Sequence, residues 1–468
     1  MRLRLIFLLL LLTALPVRGQ DSLRMTLSDY YSLILRFHPL AKQAANLPEM
    51  ARNEIRTARG AFDPVLKSEY EEKKFDTKNY WSLWESKLMV PVWYGADIKV
   101  AYDQNNGRFL DDQYRVPEDG LSYVGISVPL GQGLLIDQRR ASLRQAQQLE
   151  KMAEAERIKA INKLLLNAAK TFWDWQFTYR RLQFHEEGVR LATQRFEAVR
   201  GRVLFGDLPA IDSLEAYIEV QNRRNILLQS QVEFQNARLI ASNFLWDDNL
   251  QPVEIRPAMI PEPEVADSDT LSALQRDLLL ELAKVNHPEL IKIEAKLKQL
   301  NIEKKLATEK LRPKLNLDYN FLSQGEPWSA DVQQYSLNNN YKMGFTFSMP
   351  LFLREERGKL GLTRLKIQQT TFDQQQTTRD ILTEINTSWN ELNTFKEQVV
   401  IQQEQTSNAA LMLDAELFRF NNGESSIFLV NTRENALVNA RIKLAELQAK
   451  YEKSKAMMLW SAGVLFRP

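Results

Sequence analysis

The chain has 468 residues, 44% of them hydrophobic and 26% charged; this leaves room for two or three ordinary domains and argues against disorder or a polytopic helical membrane protein. A formal net charge of +2 gives no reason to expect nucleic acid as a partner. Cysteine is absent, which excludes disulfides, thiolate metal sites, cysteine nucleophiles and a lipid anchor on an N-terminal cysteine.

Residues 1–19 read as a signal peptide. Arg2 and Arg4 precede an apolar run from Leu5 to Leu12, Pro16 breaks it, and Val17 and Gly19 suit the small-residue positions of a cleavage site. The run is far short of the ~20 residues a spanning helix needs. Cleavage after Gly19 removes three arginines and brings the net charge to −1. No later stretch approaches a spanning helix, so a membrane crossing would have to use a closed β-barrel, the one strand arrangement that satisfies every backbone group in lipid.

The remainder says the same thing twice, with residues 20–247 as a first repeat, 248–269 as a proline-rich acidic linker, and 270–468 as a second repeat. Shifted by 249 residues, His38-Pro39 meets His287-Pro288, Pro64 meets Pro313, Leu66 meets Leu315 and Tyr70 meets Tyr319. Pro129-Leu130 matches Pro350-Leu351, Trp173 matches Trp389, Gly206 matches Gly423, and Leu245-Trp246 matches Leu459-Trp460, in the same order.

Each repeat reads as helix, strands, very long helix, turn, helix. A first helix is expected over about 27–60, ending before Pro64. Strands follow at about 65–75 and 121–130, with a possible extra hairpin at about 83–104, where Ile98, Val100 and Tyr102 alternate. This leaves four or six strands per chain. Residues 105–120 read as a loop. Trp81, Trp84 and Trp93 in this region suit membrane-interface anchors better than a ligand box. A long helix over about 134–200 carries apolar residues at spacings of three and four, from Leu143 to Phe172. Such a ~100 Å rod can bury its stripe only against partner helices, and the charges on its other face read as plain solvation.

In the second repeat a helix is expected over about 271–311, then strands at about 314–322 and 341–351, then a long helix over about 356–420. Leu317, Tyr319, Phe321, Tyr341, Phe345 and Phe347 fall on apolar faces, while Lys314, Asn316, Asp318 and Asn320 alternate with them. Strands of this kind fit half-burial on a core, or a barrel with lipid outside and water inside. The secreted chain, the helices too long to pack on a two-stranded sheet, and the aromatic face favour the barrel. Four strands cannot close one alone, so an oligomer pooling its strands is expected.

Residues for other chemistry are scarce. Gly131-Gln132-Gly133 lacks the third glycine of a dinucleotide loop, and no Walker loop, HExxH or nucleophile elbow occurs. His38 and His287 read as helix-start residues rather than ligands. No catalytic residue, metal or cofactor is expected.

The doubled plan, the proline after each first helix, the strand ending in Pro-Leu and the glycine turn followed by a short apolar run resemble the TolC-like outer membrane efflux protein family over nearly the whole mature chain. The resemblance implies a mostly α fold with a β-barrel part: a homotrimer with a tapering α-helical tunnel in the periplasm and a shared outer membrane β-barrel. It implies a passive exit duct of a tripartite efflux or type I secretion system, opened at its periplasmic tip by an adaptor (membrane fusion) protein and an inner membrane pump. The implied tip and adaptor-contact residues are Phe205, Gly206, Asp207, Asp212 and Glu215 in the first repeat, and Phe420, Gly423, Glu424 and Ser425 in the second. Glycine suits the positive φ that ends each long helix, and converging carboxylates would attract cations. Capping of the following helix also accounts for Asp207, Asp212 and Glu215. Where acidic-ring members of the family carry aspartates, the second repeat has Leu429 and Thr432, so an acidic constriction would come from the first repeat. The alternative is a soluble periplasmic coiled-coil scaffold or adaptor, which leaves the apolar strand faces unexplained.

Overall fold

The computed structural model describes residues 24–262, 273–326 and 339–466. The expected signal peptide, residues 1–19, and the later part of the expected linker, residues 263–269, lie outside the described residues. The chain forms two compact units. One comprises the described parts of Met1–Ala44, Ala160–Ala283 and Ile381–Pro468; the other comprises Ala45–Lys159 and Lys284–Asp380.

The helices are α1 (Leu27–Phe37), α2 (Pro39–Arg59), α3 (Gln138–Leu204), α4 (Ala210–Ser242), α5 (Ala273–Asn286), α6 (Pro288–Glu309), α7 (Arg354–Asn421) and α8 (Ile427–Ser461). α3 has 67 residues and α7 has 68, each a ~100 Å rod. The first helix of each repeat differs from expectation: it is broken in two, at His38-Pro39 and at His287-Pro288. The proline ring drives the residue before it out of helical geometry, and His38 and His287 are extended, with ψ of 132° and 128°. Each imidazole then caps the helix that follows. Leu40 N donates to His38 Nδ1 at 3.1 Å, and Glu289 N donates to His287 Nδ1 at 3.3 Å.

An accepting Nδ1 must be unprotonated. Burial lowers the pKa of both imidazoles, that of His287 to about 4. Between pH 6.5 and 4 the unfolded chain therefore binds more protons at His287 than the folded chain does. Its contribution is complete above pH 6.5 and fades as pH falls toward 4. His287→Asn, which keeps a cap acceptor without the titration, is expected to flatten the pH dependence of thermal unfolding over that window by roughly 1–2 kcal/mol. Unchanged pH dependence would rule this contribution out.

The first unit's core gathers Met25, Tyr30, Ile34, Phe172, Trp175, Leu245 and Ala456. Tyr30 is fully buried, and its hydroxyl donates to the Ala241 carbonyl at 2.6 Å. Asn162 Nδ2 donates to the Gly463 carbonyl and Asn162 Oδ1 accepts from Phe466 N, fixing the segment after α8. The first part of the expected linker is packed into this unit. Short strands β1 (Arg24–Met25) and β6 (Ile260–Pro261) pair in parallel, Arg24 bridges Glu262, and Ile255 is buried with its amide on Ser242 Oγ. Apolar Ile255 and Met259, scattered among the prolines, supply what a free linker would lack.

The second unit carries one six-stranded sheet: β2 (Val65–Phe75), β3 (Lys78–Pro91), β4 (Asp97–Asn106), β5 (Leu121–Pro129), β7 (Lys314–Gln324) and β8 (Tyr341–Ser348). Spatial order follows chain order and every neighbouring pair is antiparallel. The Asp76-Thr77 turn joins β2 to β3 with φ of +48° and +58°, the double positive φ that matches strand twist in a two-residue hairpin. At the helical end of the sheet Arg139 bridges Asp97 at 2.7 Å, and Arg140 holds Asp137.

Candidate functional site

Two features stand out from the helical scaffold: the faces of the sheet in the second unit, and the helix reversals in the first.

The register places most of the sheet's large apolar side chains on one face. Opposed residues share a face, and one row runs Leu66, Leu88, Val100, Val124, Phe321, Tyr341. The neighbouring rows place Val90, Ile98, Ile126, Tyr319 and Met343, and Val128, Leu317 and Phe345, on that same face. All six expected barrel positions, Leu317, Tyr319, Phe321, Tyr341, Phe345 and Phe347, lie on it. Leu317 opposes Phe345, Phe321 opposes Tyr341, and Tyr319 stacks on Tyr341 with centroids 5.6 Å apart. Met343, Phe345 and Phe347 are each more than 60% exposed.

The opposite face is polar. It carries Lys67, Glu69, Glu85, Lys87, Lys99, Asp318 and Lys342, with Lys99 bridging Asp318 at 2.7 Å and Tyr123 donating to Glu85 at 3.0 Å. The loop between β4 and β5 folds across this face, held where Asn105 Nδ2 donates to the Tyr114 carbonyl. Together they enclose a concavity of about 950 Å³, to whose wall Tyr114 and Arg115 contribute. The expected trio of tryptophans does not share one face. Trp84 is on the apolar face, Trp81 pairs with Lys73 on the polar one, and Trp93 lies beyond β3, stacked on Phe62. Period-two alternation within β3 separates residues three apart.

The helix reversals are twins. After α3, Gly206 has φ +79°, its amide donates to the Val203 carbonyl, and the Asp207 amide donates to the Arg202 carbonyl. After α7, Gly423 has φ +80°, its amide donates to the Phe420 carbonyl, and the Glu424 amide to the Arg419 carbonyl. This is the Schellman closure, in which a left-handed residue turns the chain and satisfies the last carbonyls.

Their surroundings differ. Phe420 packs with Phe196, Val203 and Leu208 against buried Val199, Ala216 and Ile427, beneath the Arg202 guanidinium at 5.9 Å. Phe205 is 87% exposed. Ser425 donates to Glu416, a buried carboxylate also near Arg419 and Arg433. Ser426 caps α8, accepting from Leu429 N. The first reversal has no such tether. Pro209 is the N-cap of α4 and offers no side-chain acceptor; Asp212 lies in the first turn with its amide on the Pro209 carbonyl, and neither the Asp212 nor the Glu215 carboxylate has a hydrogen-bond or ion-pair partner among the described residues.

Glu219 is not free. Arg223 donates to it at 2.7 Å, and Asn435 joins it at 3.1 Å. Arg223 and Arg195 also converge on Glu434, at 3.1 and 2.5 Å, and that carboxylate's side chain is 2% exposed. Arg195 further donates to Asn431, and Arg223 to the Gly188 carbonyl. This ionic cluster joins α3, α4 and α8. Sequence reasoning assigned such helix charges to solvation; nothing in their spacing marks the few that are buried.

Among the described residues no cluster could hold a metal ion, and no helix is long and apolar enough to cross a membrane. The sequence profile of the outer membrane efflux protein family matches residues 279–461. No curated protein matches the chain by sequence. Its fold is that of several solved channels. The Campylobacter jejuni CmeC outer membrane channel superimposes with a TM-score of 0.64 at 14% identity, covering 94% of this chain and 86% of that one. The Neisseria gonorrhoeae MtrE outer membrane channel, in an open state, gives 0.65 at 13%, covering 94% and 89%. The outer membrane protein VceC of Vibrio cholerae gives 0.63 at 15%, covering 94% and 97%.

Proposed function

We propose that this chain, whose residues 279–461 match the outer membrane efflux protein family and whose fold is that of these channels along its length, is a TolC-like outer membrane efflux protein and the outer membrane exit duct of a tripartite efflux or type I secretion system. In this reading it is a passive homotrimer and no enzyme. Three sheets pool into one outer membrane barrel, and the helices continue as a periplasmic tunnel. The twin reversals form the tip, where a periplasmic adaptor and an inner membrane pump dock, with Phe205, Gly206, Asp207, Phe420, Gly423, Glu424 and Ser425 at the contact.

The observation that carries this reading is the two-faced sheet. An apolar face spans all six strands while the other face is charged. Water would leave Met343, Phe345 and Phe347 uncovered, and a patch of that size calls for lipid or protein. At the tip, unpaired Asp212 and Glu215 repeated around a threefold axis would focus negative potential.

Extracted in detergent, the protein is expected to run as a heat-modifiable trimer and to conduct ions in a planar bilayer. A monomer soluble without detergent would sink the proposal. Asp212→Asn is expected to lower the cation-to-anion permeability ratio at least twofold; an unchanged ratio reduces Asp212 to a helix-start acid.

A further inference from the structure

We infer that β8 of one copy pairs with β2 of the next, so that three copies close an eighteen-stranded barrel. This rests on the trimeric reading above and adds the wall that the trimer builds.

The described residues of each copy bring six strands to this sheet, and among them β2 and β8 have a strand partner on one side only. The repeats contribute unequally. β2 and β5 are the counterparts of β7 and β8, and the β3–β4 hairpin is inserted between them in the first repeat alone. It pairs on both sides, with β2 and with β5, so it belongs to the wall.

The directions fit. Every neighbouring pair is antiparallel, and six is even, so β2 and β8 run oppositely and the join between copies is antiparallel too. The stagger fits as well. A row starting at Val65, the first residue of β2, passes Met89, Lys99, Gly125 and Asn320 and reaches Lys342. Lys342 lies six residues from Ser348, the end of β8 that leads into a helix. Bringing Ser348 beside Val65 of the next copy therefore offsets the register by about 20 Å for every 29 Å of wall, a strand tilt of roughly 35°. Closed barrels need 35–45°.

The join is also chemically matched. With Ser348 opposite Val65, Phe347 faces Leu66 and Met343 faces Tyr70 on the apolar side, and Lys342 faces Glu71 on the polar side. Eighteen strands at that tilt enclose a ring about 35 Å across between backbones, against roughly 24 Å for twelve.

The chain has no cysteine of its own, so paired cysteines report directly. Glu71 and Lys342 are five strand spacings apart along the sheet, about 24 Å of wall, but both line the same concavity, so the join is reported by covalent linkage between chains. Glu71→Cys with Lys342→Cys, oxidised in outer membranes, is expected to end as a reducible covalent species of three chains. Asp103→Cys with Lys342→Cys probes the alternative in which β4 is the edge and the wall has twelve strands. Crosslinking by that pair instead, or by neither pair in a protein whose detergent-solubilised mass is that of a trimer, would overturn the eighteen-stranded wall and leave the trimeric duct standing. Covalent species that end at two chains, or a native mass other than three, would overturn the trimer itself.

Discussion

Phe345→Arg is expected to abolish assembly. Phe345 sits mid-strand on the apolar face, opposite Leu317 and beside Tyr319. A cation at the depth of the bilayer midplane costs about 2–4 kcal/mol, and a trimer meets that cost in each copy. The amount of heat-modifiable trimer in the outer membrane fraction should fall at least tenfold. Thr346→Arg, one residue away on the polar face, controls for the general effect of a charge and should assemble normally. If both variants assemble like the parent, lipid does not contact this face.

The second large effect is expected from Glu434→Ala. Its carboxylate neutralises Arg195 and Arg223 in a nearly dry site between α3, α4 and α8. Removing one partner of a buried ionic cluster leaves uncompensated charge and typically costs 3–5 kcal/mol. The helical unit should lose that much in thermal or urea unfolding, and protease should cut the Phe205–Pro209 turn faster. Glu434→Leu combined with Arg223→Met and Arg195→Met should recover part of the loss, since it removes both buried cations together with their carboxylate, while Glu219, Asn431 and the Gly188 carbonyl each lose a donor. No loss in the single variant would show that water reaches the cluster.

Much of this molecule could be read from residue order alone. Gly206 and Gly423 end the long helices as expected, because positive φ there is nearly reserved for glycine. Period-two alternation in 314–321 put Leu317, Tyr319 and Phe321 on one face, and the register agrees. Other features were hidden for physical reasons. The two breaks at His-Pro lie inside what was expected as one helix per repeat, although proline alone predicts them. The extra hairpin is obscured in β3, where "SLWESKLMVP" mixes polar and apolar residues on both faces. The Glu434 cluster is invisible in one sequence because Arg195, Arg223 and Glu434 come from three helices, and each reads locally as an ordinary surface charge. Glu416 is hidden in the same way: its burial follows from Ser425 and the basic residues around it.

The two reversals, so alike in backbone, are unequal as mechanical parts. One is anchored by its own carboxylate, serine cap and tucked aromatic ring, and would hold its shape unassisted. The other ends in Leu204, Phe205 and Ile211 facing outward, steadied by the glycine closure and by the packing of Val203 and Leu208. A force applied at the two reversals would meet a stiff member and a compliant one side by side, and displacement would begin in the compliant one.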